Sequence, residues 1–205
     1  MEITLVSAAR FEAEAFLRAA TTPNLTINYL SCGIGALHAA KEESRLARLC
    51  RGKQVLFIGT CGSFAPFHGV ELVQIDQVHW LPTCERAGYA DSIAGLHPPI
   101  VLPEAPAWLD LPIRTALCGP TISRYDLISA KLQAGLAAKD LLVENLELYS
   151  CIGAIAHSCQ SLAVVLAITN EISDLGRSQW REHYLEAAEK TAAYLVTTLC
   201  SSLGS

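Results

Sequence analysis

The segment Val55-Leu-Phe-Ile-Gly-Thr-Cys-Gly-Ser-Phe64 constrains this chain more than any other. An apolar, β-prone tetrad runs directly into Gly59, Thr60, Cys61, Gly62 and Ser63, which predicts a buried strand ending in a tight turn of exposed backbone. A strand that is apolar at successive positions needs cover on both faces, as in a sheet flanked by helices. In open α/β sheets ligands bind at the carboxyl ends of strands, where small residues let a flat molecule lie against the main chain. The run therefore gives the address of a site. Its chemistry has to come from residues that converge there.

The remaining sequence alternates in the same way. Ile3 to Ser7 predicts a first strand and Phe11 to Ala20 a helix. Thr26 to Leu30 predicts a second strand, and Ala36 to Leu49 a helix. Gly69 to Val78 predicts a strand that ends at His79-Trp80. Residues 81 to 112 hold most of the prolines and predict a long excursion with little regular structure, of the kind that forms lids. Arg114 to Leu117 predicts a strand, Leu127 to Leu136 a helix, Asp140 to Val143 a short strand and Leu146 to Cys159 an apolar helix. Leu162 to Thr169 predicts a fully buried strand and Trp180 to Ser201 a closing helix. These alternations predict an α/β protein: a three-layer α/β/α single domain over 1–205, with a central mixed, largely parallel sheet. No repeat, low-complexity segment or linker interrupts it.

Composition excludes several functions. Hydrophobic residues make up 51% of the 205 positions and charged residues 17%, which is a core-forming composition. A net charge of −5 gives no basic footprint, so no nucleic acid partner is expected. The longest apolar run, Leu162 to Ile168, is too short to cross a bilayer, and no membrane partner is expected. The first residues lack the pattern of a secretion signal, so a cytoplasmic location is expected. The eight cysteines are irregularly spaced inside apolar segments and are read as reduced, buried thiols. Cys151, His157 and Cys159 do not share a helix face, so neither a metal nor any other cofactor is expected.

Polar residues collect just past four apolar strands: at Ala8-Ala-Arg-Phe-Glu12, Gly59-Thr-Cys-Gly62, Glu144-Asn-Leu-Glu147 and Thr169-Asn-Glu171. In a mostly parallel sheet these ends share one rim. Glu147 opens an otherwise apolar helix. It either complements the helix dipole or accepts hydrogen bonds from a sugar diol and stabilises positive charge on a sugar ring. Glu12 is either a first-turn helix acid or a base that holds a water. Glu14 roughly faces the other way on that helix, so at most one of the two is expected to point inward. Asn170 is either a turn residue bonded to its own backbone or an amide that reads a flat heterocycle with one donor and one acceptor. Ser63 and Ser123 lack a companion His and Asp for triad chemistry. Trp108, Trp180 and His157 are read as packing residues.

At these residues the chain resembles the nucleoside phosphorylase and nucleosidase superfamily, nearest to methylthioadenosine/S-adenosylhomocysteine nucleosidases and futalosine hydrolases. The likeness runs along nearly the whole chain in order. Met1 to Phe16 resembles the family's opening strand and acidic turn, and Cys32-Gly-Ile-Gly35 its Gly-x-Gly turn. Gly59-Thr-Cys-Gly62 resembles Gly-Ser/Thr-Ala/Cys-Gly, and Gly69-Val-Glu-Leu-Val73 resembles Gly-Asp-x-Val. Asn145-Leu-Glu147 falls at the family's Glu-Met-Glu, and Ala167-Ile-Thr-Asn170 at its Ala-Ile-Ser-Asp. The resemblance implies cleavage of an N-glycosidic bond through an oxocarbenium-like sugar. It implies catalytic roles for Glu12, Glu147 and Asn170, and substrate contacts from Thr60, Cys61, Gly62, Ile122, Asn145, Leu146 and Thr169. It also implies a homodimer, for which Phe64-Ala-Pro-Phe67 is the candidate interface stretch.

Three positions depart from the family pattern. Asn170 stands where nucleosidases have a catalytic Asp, and an amide shares a proton with the base without giving it up. Asn at this place resembles enzymes acting on 6-oxopurines. Leu166 replaces the nucleosidases' Arg that helps place the water. Phe57 stands where hexameric phosphorylases hold phosphate with Arg, and no Gly-rich cradle follows the first strand. Water is therefore the favoured acceptor, and the expected activity is hydrolysis of a 6-oxopurine nucleoside such as futalosine. The alternatives are a phosphate-dependent purine nucleoside phosphorylase, a methylthioadenosine/S-adenosylhomocysteine nucleosidase, and a nucleoside-binding relative without turnover.

Overall fold

The computed structural model describes residues 1–90, 96–124, 136 and 138–203. Its elements are β1 (Glu2–Ser7), α1 (Arg10–Ala19), β2 (Thr26–Ser31), α2 (Ala36–Cys50), β3 (Gln54–Ser63), β4 (Glu71–Trp80), α3 (Thr83–Arg86), β5 (Ile100–Val101), β6 (Ile113–Cys118), a 3₁₀ turn (Lys139–Leu141), β7 (Leu142–Glu144), α4 (Leu148–Ile155), β8 (Ser161–Glu171) and α5 (Gly176–Leu203). The helix predicted over 127–136 falls, apart from Leu136, outside the described residues.

Alternating side chains on the central strands divide the core in two. Val55 and Phe57 of β3 and Leu162, Val164 and Leu166 of β8 pack against Leu46 and Cys50 of α2 and Leu148, Ile152 and Ile155 of α4. Leu56 and Ile58, with Ala163 and Val165, face the other way, onto Ala13 and Phe16 of α1 and Leu195 and Leu199 of α5. Each buried branched or aromatic side chain contributes about 1.5–3 kcal/mol relative to exposure, so both faces of β3 and β8 have to be covered. That need produces the three layers.

The sheet is mixed and largely parallel. β1 pairs in parallel with β2 and β3, β3 with β8, β4 with β6, and β6 with β7; β4 runs antiparallel to β5 and β8, and β7 antiparallel to β3. The strands β3, β8, β4, β6 and β7 each pair with the next, and β7 returns to the last two residues of β3. The sheet thus curls shut at one end.

Two sequence expectations are corrected here. Gly59 to Ser63 is not a turn: β3 continues through Ser63, and β8 through Glu171. The pairing between them slips after Cys61↔Ile168 and resumes at Gly62↔Asn170, which leaves Thr169 as the extra residue of a bulge. Bulges bend a strand and re-aim its next side chain, and they recur beside functional sites. The glycines signalled a close main-chain approach, which in this chain occurs within a strand. The predicted helix 146–159 is also too long. It ends at Ile155, so His157 lies in an exposed turn and not in the core.

Candidate active site

The strand ends enclose a cavity of about 350 Å³. Glu12, Thr60, Cys61, Gly62, Ile122, Asn145, Leu146, Glu147 and Asn170 all line it, so nine residues singled out from sequence meet in one place. Thr169 is the exception. It is fully buried behind the wall, and its hydroxyl contacts the Cys61 carbonyl at 3.3 Å and Asn170 Oδ1 at 3.1 Å.

Glu12 sits in the first turn of α1 and is buried, whereas Glu14 is exposed. One carboxylate oxygen, Oε2, accepts the N–H of Ala9 at 3.1 Å, the returning half of a capping box. A Cβ built on Gly59 would lie 3.5 Å from Glu12 Oε1, 3.4 Å from the Phe57 ring and 3.5 Å from Leu166 Cδ2. The second oxygen therefore shares an apolar corner, and burial pushes the Glu12 carboxyl up to about 7. The N–H of Ala9 opposes that rise, and the neighbouring Glu147 carboxylate adds to it.

Glu147 is the N-cap residue of α4 and is buried. Its Oε1 accepts the N–H of Gly35 at 2.6 Å. Burial raises this carboxyl above its ordinary value as well, with the Gly35 bond as the main opposing influence. Asn145 fixes the turn before α4. Its Oδ1 accepts the N–H groups of Glu147 and Leu148 at 3.0 and 2.8 Å, and its Nδ2 donates to the Thr60 carbonyl at 3.0 Å. The side chain predicted to touch substrate thus spends its hydrogen bonds tying α4 to β3.

The Asn170 amide donates from Nδ2 to the Glu171 carbonyl at 2.9 Å. A carbonyl only accepts, so this contact fixes which end of the amide is nitrogen. One Nδ2 proton and one lone pair on Oδ1 remain for a ligand. Glycines make room for the group: a Cβ on Gly62 would come within 2.8 Å of Nδ2, and one on Gly176 within 3.1 Å.

Sequence reading missed several walls. Trp180, expected only to pack, lines the cavity and donates its indole N–H to Thr60 Oγ1 at 3.1 Å, while its ring stacks on Tyr184 at 5.2 Å. Phe11 meets both rings edge-on. Ala8, Ile34, Glu144 and Arg177 also line the space. Three aromatic residues and an Arg on helix surfaces carry no local signal of a shared pocket; only the closing of α1 against α5 brings Phe11, Trp180 and Tyr184 together. Phe64, taken as an interface residue, is buried in its own chain with the Arg86 guanidinium over its ring. All eight cysteines are free thiols. Among the described residues, no group of three or more His, Cys, Asp or Glu side chains is placed to hold a metal, and no helix is long and apolar enough to cross a membrane.

Known structures share this architecture. The chain superposes on the 5′-methylthioadenosine nucleosidase of Helicobacter pylori holding 5′-methylthioadenosine (TM-score 0.70, 15% identity, 98% of each chain covered). It superposes equally on a futalosine hydrolase from the same organism (TM-score 0.69, 14% identity, 98% of this chain and 99% of that one). A third match is the S-adenosylhomocysteine nucleosidase of Streptococcus pyogenes in complex with 5-methylthiotubericidin (TM-score 0.73, 15% identity, 97% and 96% covered). No protein-family model matches the sequence, and no curated protein matches it. The fold is that of these nucleosidases.

Proposed function

We propose that this chain is a cytoplasmic nucleosidase that hydrolyses the N-glycosidic bond of a 6-oxopurine nucleoside, with futalosine or a nucleoside like it as substrate. The observation that carries the reading is the pairing of two buried carboxylates, Glu12 and Glu147, with the Asn170 amide around one cavity. Glu12, with its carboxyl near 7, is matched to accept a proton from water at neutral pH. As the bond from C1′ to the base nitrogen breaks, the water oxygen bonds to C1′ and its proton passes to Glu12. Glu147 binds the sugar hydroxyls and offsets positive charge developing on the ring. Asn170 directs its free N–H to N7, which steadies the departing base as an anion. The aromatic wall of Phe11 and Trp180 supplies an apolar surface for the sugar and base.

Phosphorolysis is the second reading, and Arg177 favours it: this exposed residue at the cavity is the cation among the described lining residues. Exposed Ile34, Ile122 and Leu175, in turns, and Leu37, in the first turn of α2, lie at or next to the cavity lining, an apolar rim suited to a second copy of this chain in a homodimer.

A release assay tests these readings together, with inosine, adenosine, methylthioadenosine and futalosine as substrates, each with and without phosphate. The hydrolase reading expects free base from the 6-oxopurine nucleosides without phosphate. Release that requires phosphate selects the phosphorylase, and release from methylthioadenosine alone selects the adenine-type nucleosidase. Tight nucleoside binding with no release selects a binding protein.

A further inference from the structure

We infer that Glu144 selects the base: its carboxylate accepts the N1–H of a 6-oxopurine and rejects a 6-aminopurine at the same place. The inference rests on the nucleosidase reading and names the residue that sets its substrate class.

Three residues lie on one rung of the sheet. Gly62 of β3 pairs with Glu144 of β7 on one side and with Asn170 of β8 on the other. Strands are spaced about 4.8 Å apart, so Glu144 and Asn170 stand about 10 Å apart across a residue with no side chain. All three line the cavity. A flat base lying over Gly62 meets an amide at one edge and a carboxylate at the other. With N7 at Asn170, the six-membered ring and its N1 point to Glu144.

The carboxylate is held as a fixed acceptor. Glu144 Oε1 accepts from Arg86 Nη2 and from Ser123 Oγ, each at 2.5 Å. Oε2 accepts the Ser123 N–H at 2.9 Å and keeps a lone pair free. Arg86 is 2% exposed, carries the compensating charge inside the protein, and also donates to Thr83 Oγ1 at 3.1 Å. An ionised carboxylate only accepts. The N1 of hypoxanthine or guanine carries a hydrogen and satisfies it. The N1 of adenine is an acceptor and sets two lone pairs against each other in a buried site, the mismatch that gives the largest discrimination between otherwise similar ligands.

Equilibrium binding of free bases to the unmodified protein tests this without altering the fold. Hypoxanthine is expected to bind about tenfold or more tightly than 1-methylhypoxanthine, which lacks the N1–H, and than adenine. In Glu144→Gln the amide can present either end, so the hypoxanthine-to-adenine preference should fall about tenfold. Arg86→Met/Glu144→Gln repeats that comparison without an unpaired buried guanidinium. Equal binding of hypoxanthine and 1-methylhypoxanthine, or a preference unchanged in both variants, would overturn the role of Glu144 and leave the nucleobase pocket standing. Binding of no base at all would overturn the pocket reading with it.

Discussion

Gly35 donates its main-chain N–H to Oε1 of Glu147 at 2.6 Å, joining two turns that are 112 residues apart in sequence. Gly35 has φ +86° and ψ 152°, a region that residues with a Cβ rarely enter. A Cβ there would meet nothing within 4 Å, so its cost is backbone strain and not a clash. Gly35→Ala is expected to cost about 1–3 kcal/mol of stability and to release the carboxylate from its donor. Turnover should then fall part of the way towards that of Glu147→Gln, for which a loss of about 10²–10³ is expected. Base-release rates for the two variants make the comparison. Full activity in Gly35→Ala would separate this contact from the chemistry.

With Glu12 as the proposed base, activity and stability are expected to respond to pH in opposite directions. Its carboxyl, near 7 in the fold against 4.5 ordinarily, must be ionised to take a proton. kcat/KM is therefore expected to rise about tenfold per pH unit below about 7 and to level off above it. The fold favours the protonated form, so the contribution of Glu12 to stability is complete below about 4.5 and is lost as pH rises through 7. Glu12→Gln removes that dependence. The variant should lack turnover, and relative to the parent its stability should improve by about 1–3 kcal/mol between pH 5 and pH 8. Denaturant melts at both pH values measure this difference, and a parent that gains on the variant at pH 8 would contradict the assignment.

Gly62 and Gly176 hold the Asn170 amide between them. In Gly176→Ala the new methyl would meet the Glu171 carbonyl oxygen at 2.8 Å, and that oxygen belongs to the backbone of β8. Rigid backbone cannot give way cheaply, so a loss of about 1–3 kcal/mol is expected. In Gly62→Ala the methyl meets the amide itself at 2.8 Å and Ile172 Cγ1 at 3.2 Å, and the amide can rotate aside. That variant should keep more stability and lose base affinity, measured as a KM increase larger than its change in melting temperature would suggest.

The elements that the sequence made legible were those with a local cause. Leu162 to Ile168 had to be a buried strand because every position is apolar, and the spacing of Glu12 and Glu14 allowed at most one of them to face inward. The extension of β3 through Gly59 to Ser63 was not legible, because glycines weaken strand propensity and only pairing with β8 overrides them. The bulge at Thr169, which turns Asn170 into the cavity, depends on register between strands about 110 residues apart. Glu144 was hidden for a related reason. As the last residue of a short strand it looks like one more acid before Asn145, and its meaning comes from Arg86, 58 residues earlier in a segment with little periodicity.

Asn170→Asp tests the amide directly. The Nδ2 position lies 2.9 Å from the Glu171 carbonyl oxygen, where an ionised carboxylate would face an acceptor. The substituted side chain satisfies that contact only when protonated, so the fold raises its pKa above the ordinary Asp value. Stability gained from the protonated form is present at low pH and lost as pH rises through the raised value. The protonated acid can also deliver a proton to N7, which the amide cannot, and general acid help of this kind is worth about 10²–10⁴-fold. Base release by Asn170→Asp should therefore exceed that of the parent at the acid end of its range and fall below it towards alkaline pH. A profile parallel to the parent's across pH 5–9 would mean that residue 170 does not face N7.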